Sequence, residues 1–156
     1  MIVIRTAVAD DAAGICAILN PIIADTTITF SPTQASEADV IEGLSLHSNR
    51  GDPYLVAERD GTVLGYARYG PFRGGQGYAR TAEITVHLAP AARGQGLGRR
   101  LVAALENHAR AAQVHSLIAG ISVENTQALD FHAKLGFEHV GLIPQAGHKF
   151  DRFIDL

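Results

Sequence analysis

Residues 81–105 read TAEITVHLAPAARGQGLGRRLVAAL. From Thr81 to Leu88 the residues alternate: Thr81, Glu83, Thr85 and His87 on one side, Ala82, Ile84, Val86 and Leu88 on the other. A period of two predicts a strand. Pro90, which lacks a backbone donor, ends it. Next come Arg93-Gly94-Gln95-Gly96-Leu97-Gly98 and the pair Arg99-Arg100. Leu97, Leu101, Val102, Leu105 and Ala109 then recur at helical spacing. A glycine-rich loop flanked by three arginines therefore opens a helix. Unpaired N–H groups and the positive end of the helix dipole meet at such a place, which predicts an anion site, most naturally for phosphate.

Two common phosphate loops do not fit. A Walker loop needs Gly-Lys-Ser or Gly-Lys-Thr after its glycines, and no lysine is present here. A dinucleotide fingerprint follows an early strand and needs an acidic residue about 20 positions on; this loop lies past the middle of the chain, and residues 114–123 hold no acid. The order Arg-x-x-Gly-x-Gly after a strand resembles the acyl-CoA loop of the GCN5-related N-acetyltransferase (GNAT) superfamily. In that superfamily the loop amides hold the pyrophosphate of coenzyme A. Taken alone, the six residues also fit a plain glycine turn before a surface helix.

The remaining chain narrows the choice. Its 156 residues suffice for one substantial core and predict a single domain over 1–156. A net charge of −3 argues against bulk nucleic-acid binding, which needs a basic footprint. The one cysteine, Cys16, excludes an internal disulfide and sits on an apolar helical stripe. The opening MIVIRTAVADD has no long apolar run, so neither a signal peptide nor a membrane span is expected, and the expected compartment is the cytoplasm. The seven histidines are scattered, and no His, Cys or carboxylate cluster has metal-ligand spacing.

In order, residues 1–5 predict a strand. Asp10 or Asp11 can cap a helix striped by Ile15, Ile18, Leu19 and Ile22, and residues 24–30 read as irregular. Ser36, with Glu37 and Asp39, opens a second helix. Strands are predicted over 54–58 and 63–69, joined at Asp60-Gly61. The loop GPFRGGQG carries Arg73. After the long helix, a strand is predicted over 116–123, a helix over 125–135 stopped by Gly136, a strand over 138–142 and a last one over 147–156. This succession resembles the acetyltransferase fold. The fold class so implied is α/β (α+β): a mixed, mostly antiparallel sheet that splays open beside the 81–88 strand.

Within the superfamily the likeness runs nearly end to end to the phosphinothricin and methionine sulfone/sulfoximine acetyltransferases. Its marks are IRTAVADDAAGICAILN, FRGGQGYARTAEITVHL, ARGQGLGRRL, the segment ENTQALDFHAKLGF and the closing GHKFDRFIDL. The resemblance implies acetyl-CoA as cofactor and the α-amine of a small amino acid or analogue as acceptor. It also implies a homodimer with no nucleic-acid or membrane partner. Arg93, Gly94, Gln95, Gly96, Gly98 and Arg99 then hold the cofactor, together with Asn125 and the backbone of Val86 and Leu88, whose amides steady the developing oxyanion. Two positions depart from the group's pattern: Arg80 and His87 stand where tyrosine is more usual.

Acetylating an amine from a thioester requires removing the amine's proton and returning one to the thiolate. Glu83 is the candidate base. A mid-sheet strand with a polar face must turn it to water or to a cleft, and Glu83 reads either way. His87, on the same face, relays a proton or fills space. His132, two helical turns from Asn125 on one face, is the candidate donor to the thiolate. A carboxylate-bearing acceptor needs a cation, for which Arg73 and Arg80 are the choices by position. Phe30, Tyr78 and Thr81 complete the expected acceptor pocket. Two rivals stay open: a polyamine or protein N-terminal acetyltransferase, and an acyl-CoA sensor that needs neither Glu83 nor His132.

Overall fold

The computed structural model describes all residues 1–156. The chain packs as two compact units, Met1–Ile18 with Ala35–Ile118, and Leu19–Gln34 with Ala119–Leu156.

The first unit holds a five-stranded sheet. Strand β1 is Val3–Thr6, β2 Tyr54–Arg59, β3 Thr62–Pro71, β4 Thr81–Leu88 and β5 Ser116–Ile118, in spatial order β1-β2-β3-β4-β5. The first four pair antiparallel, whereas β5 joins β4 in parallel. Asp60 and Gly61, both at positive φ, turn β2 into β3 as their dipeptide predicts. Helix α1 (Ala12–Asp25) continues into the second unit, and α2 (Glu37–Arg50) and α3 (Leu97–Ala111) complete the first. Ser36 and Asp39 close a capping box at the start of α2, their side chains each accepting the other's backbone N–H. On α3 the predicted stripe Leu97, Leu101, Val102, Leu105 and Ala109 is buried throughout. Tyr66, Tyr69, Val56 and Ile15 are fully buried in the same core.

Asp11 does not cap α1 in the expected way. Val8 precedes a short 3-10 turn, Ala9–Asp11, and Asp11 reaches back to accept the Val8 N–H at 2.8 Å. Its two carboxylate oxygens also accept from Arg5 at 2.8 Å each. The Arg5 guanidinium therefore holds the Asp11 carboxyl below its usual range. A lowered folded-state pKa contributes stability above the unfolded value of about 3.9, and loses it as pH falls through the folded value. Asp11→Asn is expected to cost about 1–2 kcal/mol at pH 7, because half-exposed Arg5 is screened by water. Urea unfolding checks this. A deficit that stays the same at pH 2 would remove the charge from the explanation.

The second unit holds helix α4 (Thr126–Lys134) and a hairpin of β6 (Gly147–Lys149) with β7 (Arg152–Ile154). Three expected strands are corrected here. The strand over 116–123 ends at Ile118, where pairing with β4 stops at Glu83, because β-branched residues make no strand without a ladder partner. Residues 138–142 form no strand, and only Ile143 exchanges backbone bonds with Leu156, at 2.8 and 3.0 Å. The single strand over 147–156 is a hairpin, turned by Phe150 and Asp151 at φ 52° and 56°. Aspartate tolerates positive φ, but Phe150 carries none of the usual glycine or asparagine signal. Of the segment 24–30 expected to be irregular, Ala24 and Asp25 complete α1 and only 26–30 are irregular; buried Lys149 ties these down by donating to the carbonyls of Thr26 and Thr29. No helix is long and apolar enough to cross a membrane.

Candidate active site

Strand β4 organises the candidate site in the first unit. The bonds Phe72 N–H to Thr81 O and Ala89 N–H to Leu64 O bracket the β3–β4 ladder. Paired and unpaired residues alternate along an antiparallel ladder. Thr81, Glu83, Thr85 and His87 therefore direct their backbone groups at β3, while Val86 and Leu88 direct theirs off the opposite edge. Since β5 ends at Ile118, opposite Glu83, no strand covers Val86 or Leu88 there. The predicted splay is thus a free stretch of backbone edge leading into the glycine loop.

That loop leaves the helix end bare. Gly96 is the N-cap of α3 at φ 75°, and no side chain caps it. Gly94, at φ 72°, also lies in the left-handed region that favours glycine. The first main-chain bond into the helix comes from Arg100 N–H to Gly96 O, so the N–H groups of Leu97, Gly98 and Arg99 have no protein acceptor. Gln95 braces the loop by donating to the Ala91 carbonyl at 2.8 Å. Arg93 and Arg99 are exposed, whereas Arg100 donates to the Ile2 carbonyl at 3.0 Å and is held by the protein itself. Arg93 also donates to the Leu88 carbonyl, at 3.5 Å, so free amides, a helix dipole and the exposed guanidinium groups of Arg93 and Arg99 make a fitting cradle for a pyrophosphate.

Glu83 is exposed on the face of β4 away from the buried Ala82 and Ile84. It pairs with Gly70, which presents no side chain. His87, on the same face, is hydrogen-bonded through Nδ1 to the Tyr66 hydroxyl at 2.7 Å. Burial, reinforced by the charges of Arg68 and Arg93, lowers its pKa to about 4, so the ring is neutral at pH 7. A base that weak is poorly matched to an ammonium group.

The acceptor residues fall into separate places. Arg73, Tyr78 and Thr81 line one cavity of about 300 Å³ with Asp52, Tyr69 and Val114. The Arg73 guanidinium lies over the Tyr78 ring at 5.5 Å and over Phe72 at 5.8 Å. Arg80 is exposed and does not line this cavity; its carbonyl accepts the N–H groups of His115 and Ser116. Sequence reasoning did not single out two further charged groups, Asp52 in this cavity and Arg68 outside it. Asp52 has a buried, unpartnered Oδ2, and burial raises its pKa. Arg68 lies on the face of β3 that continues the face of Glu83. Both became visible only through strand register and burial.

In the second unit, Asn125 caps α4, its Oδ1 accepting the Ala128 N–H at 3.2 Å. Asn125 lines a cavity of about 450 Å³ with Thr26, Thr27, Thr126, Gln127 and Arg152. His132 Nδ1 lies 2.7 Å from the Ala128 carbonyl, which can only accept, so Nδ1 carries the proton. Burial lowers the His132 pKa. The ring therefore rests neutral with Nε2 as an acceptor, clasped edge-on by Phe131 and Phe137. Phe30 packs against Gly147 so closely that any side chain there would collide with its ring. No cluster of His, Cys or carboxylates could hold a metal ion.

The model of the acetyltransferase (GNAT) family matches residues 21–137. The chain belongs to this family. An L-methionine sulfoximine/L-methionine sulfone acetyltransferase from Pseudomonas aeruginosa is 39% identical over 154 residues, 98% of this chain and 90% of that protein. The crystal structure of a ribosomal-protein-alanine N-acetyltransferase from Brucella melitensis superposes with a TM-score of 0.94 at 40% identity, covering 98% of this chain and 94% of that one. A GNAT phosphinothricin acetyltransferase from Sinorhizobium meliloti, solved with acetyl-CoA, gives a TM-score of 0.92 at 33% identity, covering 99% of this chain and 84% of that one. A GNAT assignment accounts for a bare helix end placed directly after a strand with an open edge.

Proposed function

We propose that the chain is an acetyl-CoA-dependent N-acetyltransferase acting on the α-amine of a small amino acid or analogue. The observation that carries this reading is the uncapped N-terminus of α3, reached from a strand whose polar face presents Glu83. The names of the Pseudomonas and Sinorhizobium relatives support it. Acetyl-CoA would supply the electrophile, an acetyl group activated as a thioester. The loop from Arg93 to Arg99, with Gly94, Gln95, Gly96 and Gly98, would hold its pyrophosphate. The backbone amides of Val86 and Leu88 would steady the developing oxyanion, and Asn125 would contact the pantetheine arm.

Glu83 would take the ammonium proton, directly or through a water. His132, neutral at rest, must first acquire a proton at Nε2 before it can give one to a thiolate. It would therefore act as a carrier rather than a standing acid. Phe30, Arg73, Tyr78, Arg80 and Thr81 would surround the acceptor. One domain over 1–156, a homodimer and a cytoplasmic location belong to the same reading; relatives matched along almost their whole length support the first.

The Brucella neighbour's name favours a second reading, acetylation of a protein N-terminal alanine. Thiol release from acetyl-CoA separates the two when measured against free amino acids, methionine sulfone, methionine sulfoximine, phosphinothricin, polyamines and an alanine-headed peptide. Turnover confined to the free acids and analogues is expected. Turnover of the peptide alone would overturn the first reading in favour of the second.

A further inference from the structure

The sheet face that bears Glu83 also holds a cation with no counter-ion. Arg68 stands on β3, opposite Tyr54 of β2 and Thr85 of β4. Its guanidinium lies over the Tyr54 ring at 5.5 Å. Its Nε is buried without a hydrogen-bond partner, and no ion pair of the protein includes it. A guanidinium cannot shed its proton, so this charge persists on a half-buried face. Together with burial, it helps to hold His87 and His47 neutral. A fixed cation whose buried Nε lacks an acceptor calls for an anion.

We infer that Arg68 binds the carboxylate of the acceptor, an assignment that rests on the amino-acid acetylation proposed above. Arg68 is the diagonal neighbour of Glu83 across the β3–β4 ladder, at a separation of roughly 7–8 Å for such pairs. The α-amine and α-carboxylate of an amino acid sit on one carbon. A base and a cation at diagonal positions of one face can engage both ends of that unit together. The residue opposite Glu83 is Gly70, and a Cβ there would meet only His47 Nε2, at 3.8 Å, within 4 Å. Gly70 therefore crowds neither neighbour, and it also lines the cavity that holds Arg73 and Thr81. The loop arginines are less suited to this task. Arg73 is exposed and stacked on two aromatic rings, and Arg80 is exposed, so water screens both charges. Arg73 is left to face the far end of the acceptor's side chain.

The test compares L-methionine sulfone with 3-(methylsulfonyl)propan-1-amine, the same molecule without its carboxylate. Wild type should prefer the amino acid. In Arg68→Met the ratio of kcat/KM for acid over amine should fall by about 10–100-fold, mainly through KM for the acid, while turnover of the amine persists. Arg73→Ala should leave that ratio within about threefold of wild type. Circular dichroism and coenzyme A calorimetry check that the Met variant is folded. If it is not, Arg68→Lys keeps the charge without the two-pronged bond and should show an intermediate ratio. A merely structural Arg68 would lower both rates together and leave the ratio alone, which would overturn the assignment. Wild-type protein that acetylates neither compound, nor any free amino acid, would overturn the amino-acid reading and this assignment with it.

Discussion

Glu83→Gln is expected to lower turnover by about 10²–10⁴-fold near pH 7, with coenzyme A affinity nearly unchanged. The magnitude follows from the proton that must leave the amine. An α-ammonium group titrates at about 7.7–8.0 in peptides and higher in free amino acids, so most acceptor arrives protonated at neutral pH. Glu83 is exposed on β4, opposite a glycine, and engages no other side chain that would compete for the proton. The obvious alternative on the same face is disfavoured: His87 is already bonded to Tyr66, and its pKa lies near 4. Glutamine keeps the size of the side chain and leaves the α3 loop intact. The deficit should shrink as pH rises, because more amine then arrives deprotonated. Steady-state rates from pH 6.5 to 9.5 measure it. Full activity of Glu83→Gln at pH 7 alongside an inactive His132→Ala would move the base to the histidine.

The second large effect is expected at the loop. Gly96→Asp should reduce coenzyme A affinity by roughly 100-fold or more, because a carboxylate would face the pyrophosphate across the amides that hold it. Misfolding is not the expected cause. A Cβ at Gly96 meets nothing within 4 Å, and the residue is the N-cap of α3, where aspartate is among the preferred residues. Aspartate also tolerates the left-handed backbone better than most side chains, at a cost of about 1–2 kcal/mol. Calorimetry with coenzyme A, read beside a thermal melt, separates the two. A melt within a few degrees of wild type with lost binding is the expected pair, whereas unchanged affinity would move the pyrophosphate elsewhere.

The sequence by itself determined the parts whose chemistry is local. Alternation marked β4 residue for residue, the 3.6-residue stripe marked α3, Asp60-Gly61 marked the hairpin, and Ser36 with Asp39 marked the start of α2. The glycine loop was legible for the same reason: backbone freedom and free amides belong to the residues that supply them. Tertiary structure decided whatever depends on a partner distant in the chain. The 116–123 segment has strand composition throughout, yet becomes strand only where β4 offers a ladder. The 150–151 turn places Phe150, which carries no turn signal, at positive φ beside Asp151. Asp11 was readable as a helix cap, but its pairing with Arg5 needed β1 beside the start of α1. The sharpest case is Arg68. In TVLGYARYG it is one arginine on a strand, and nothing nearby in the sequence distinguishes it from a solvated one. Its meaning arises because strand register sets it over Tyr54 and diagonal to Glu83, with its Nε shut off from water and no anion within the protein to meet it. Burial and register are sums over residues far apart in the chain, which only the folded structure performs.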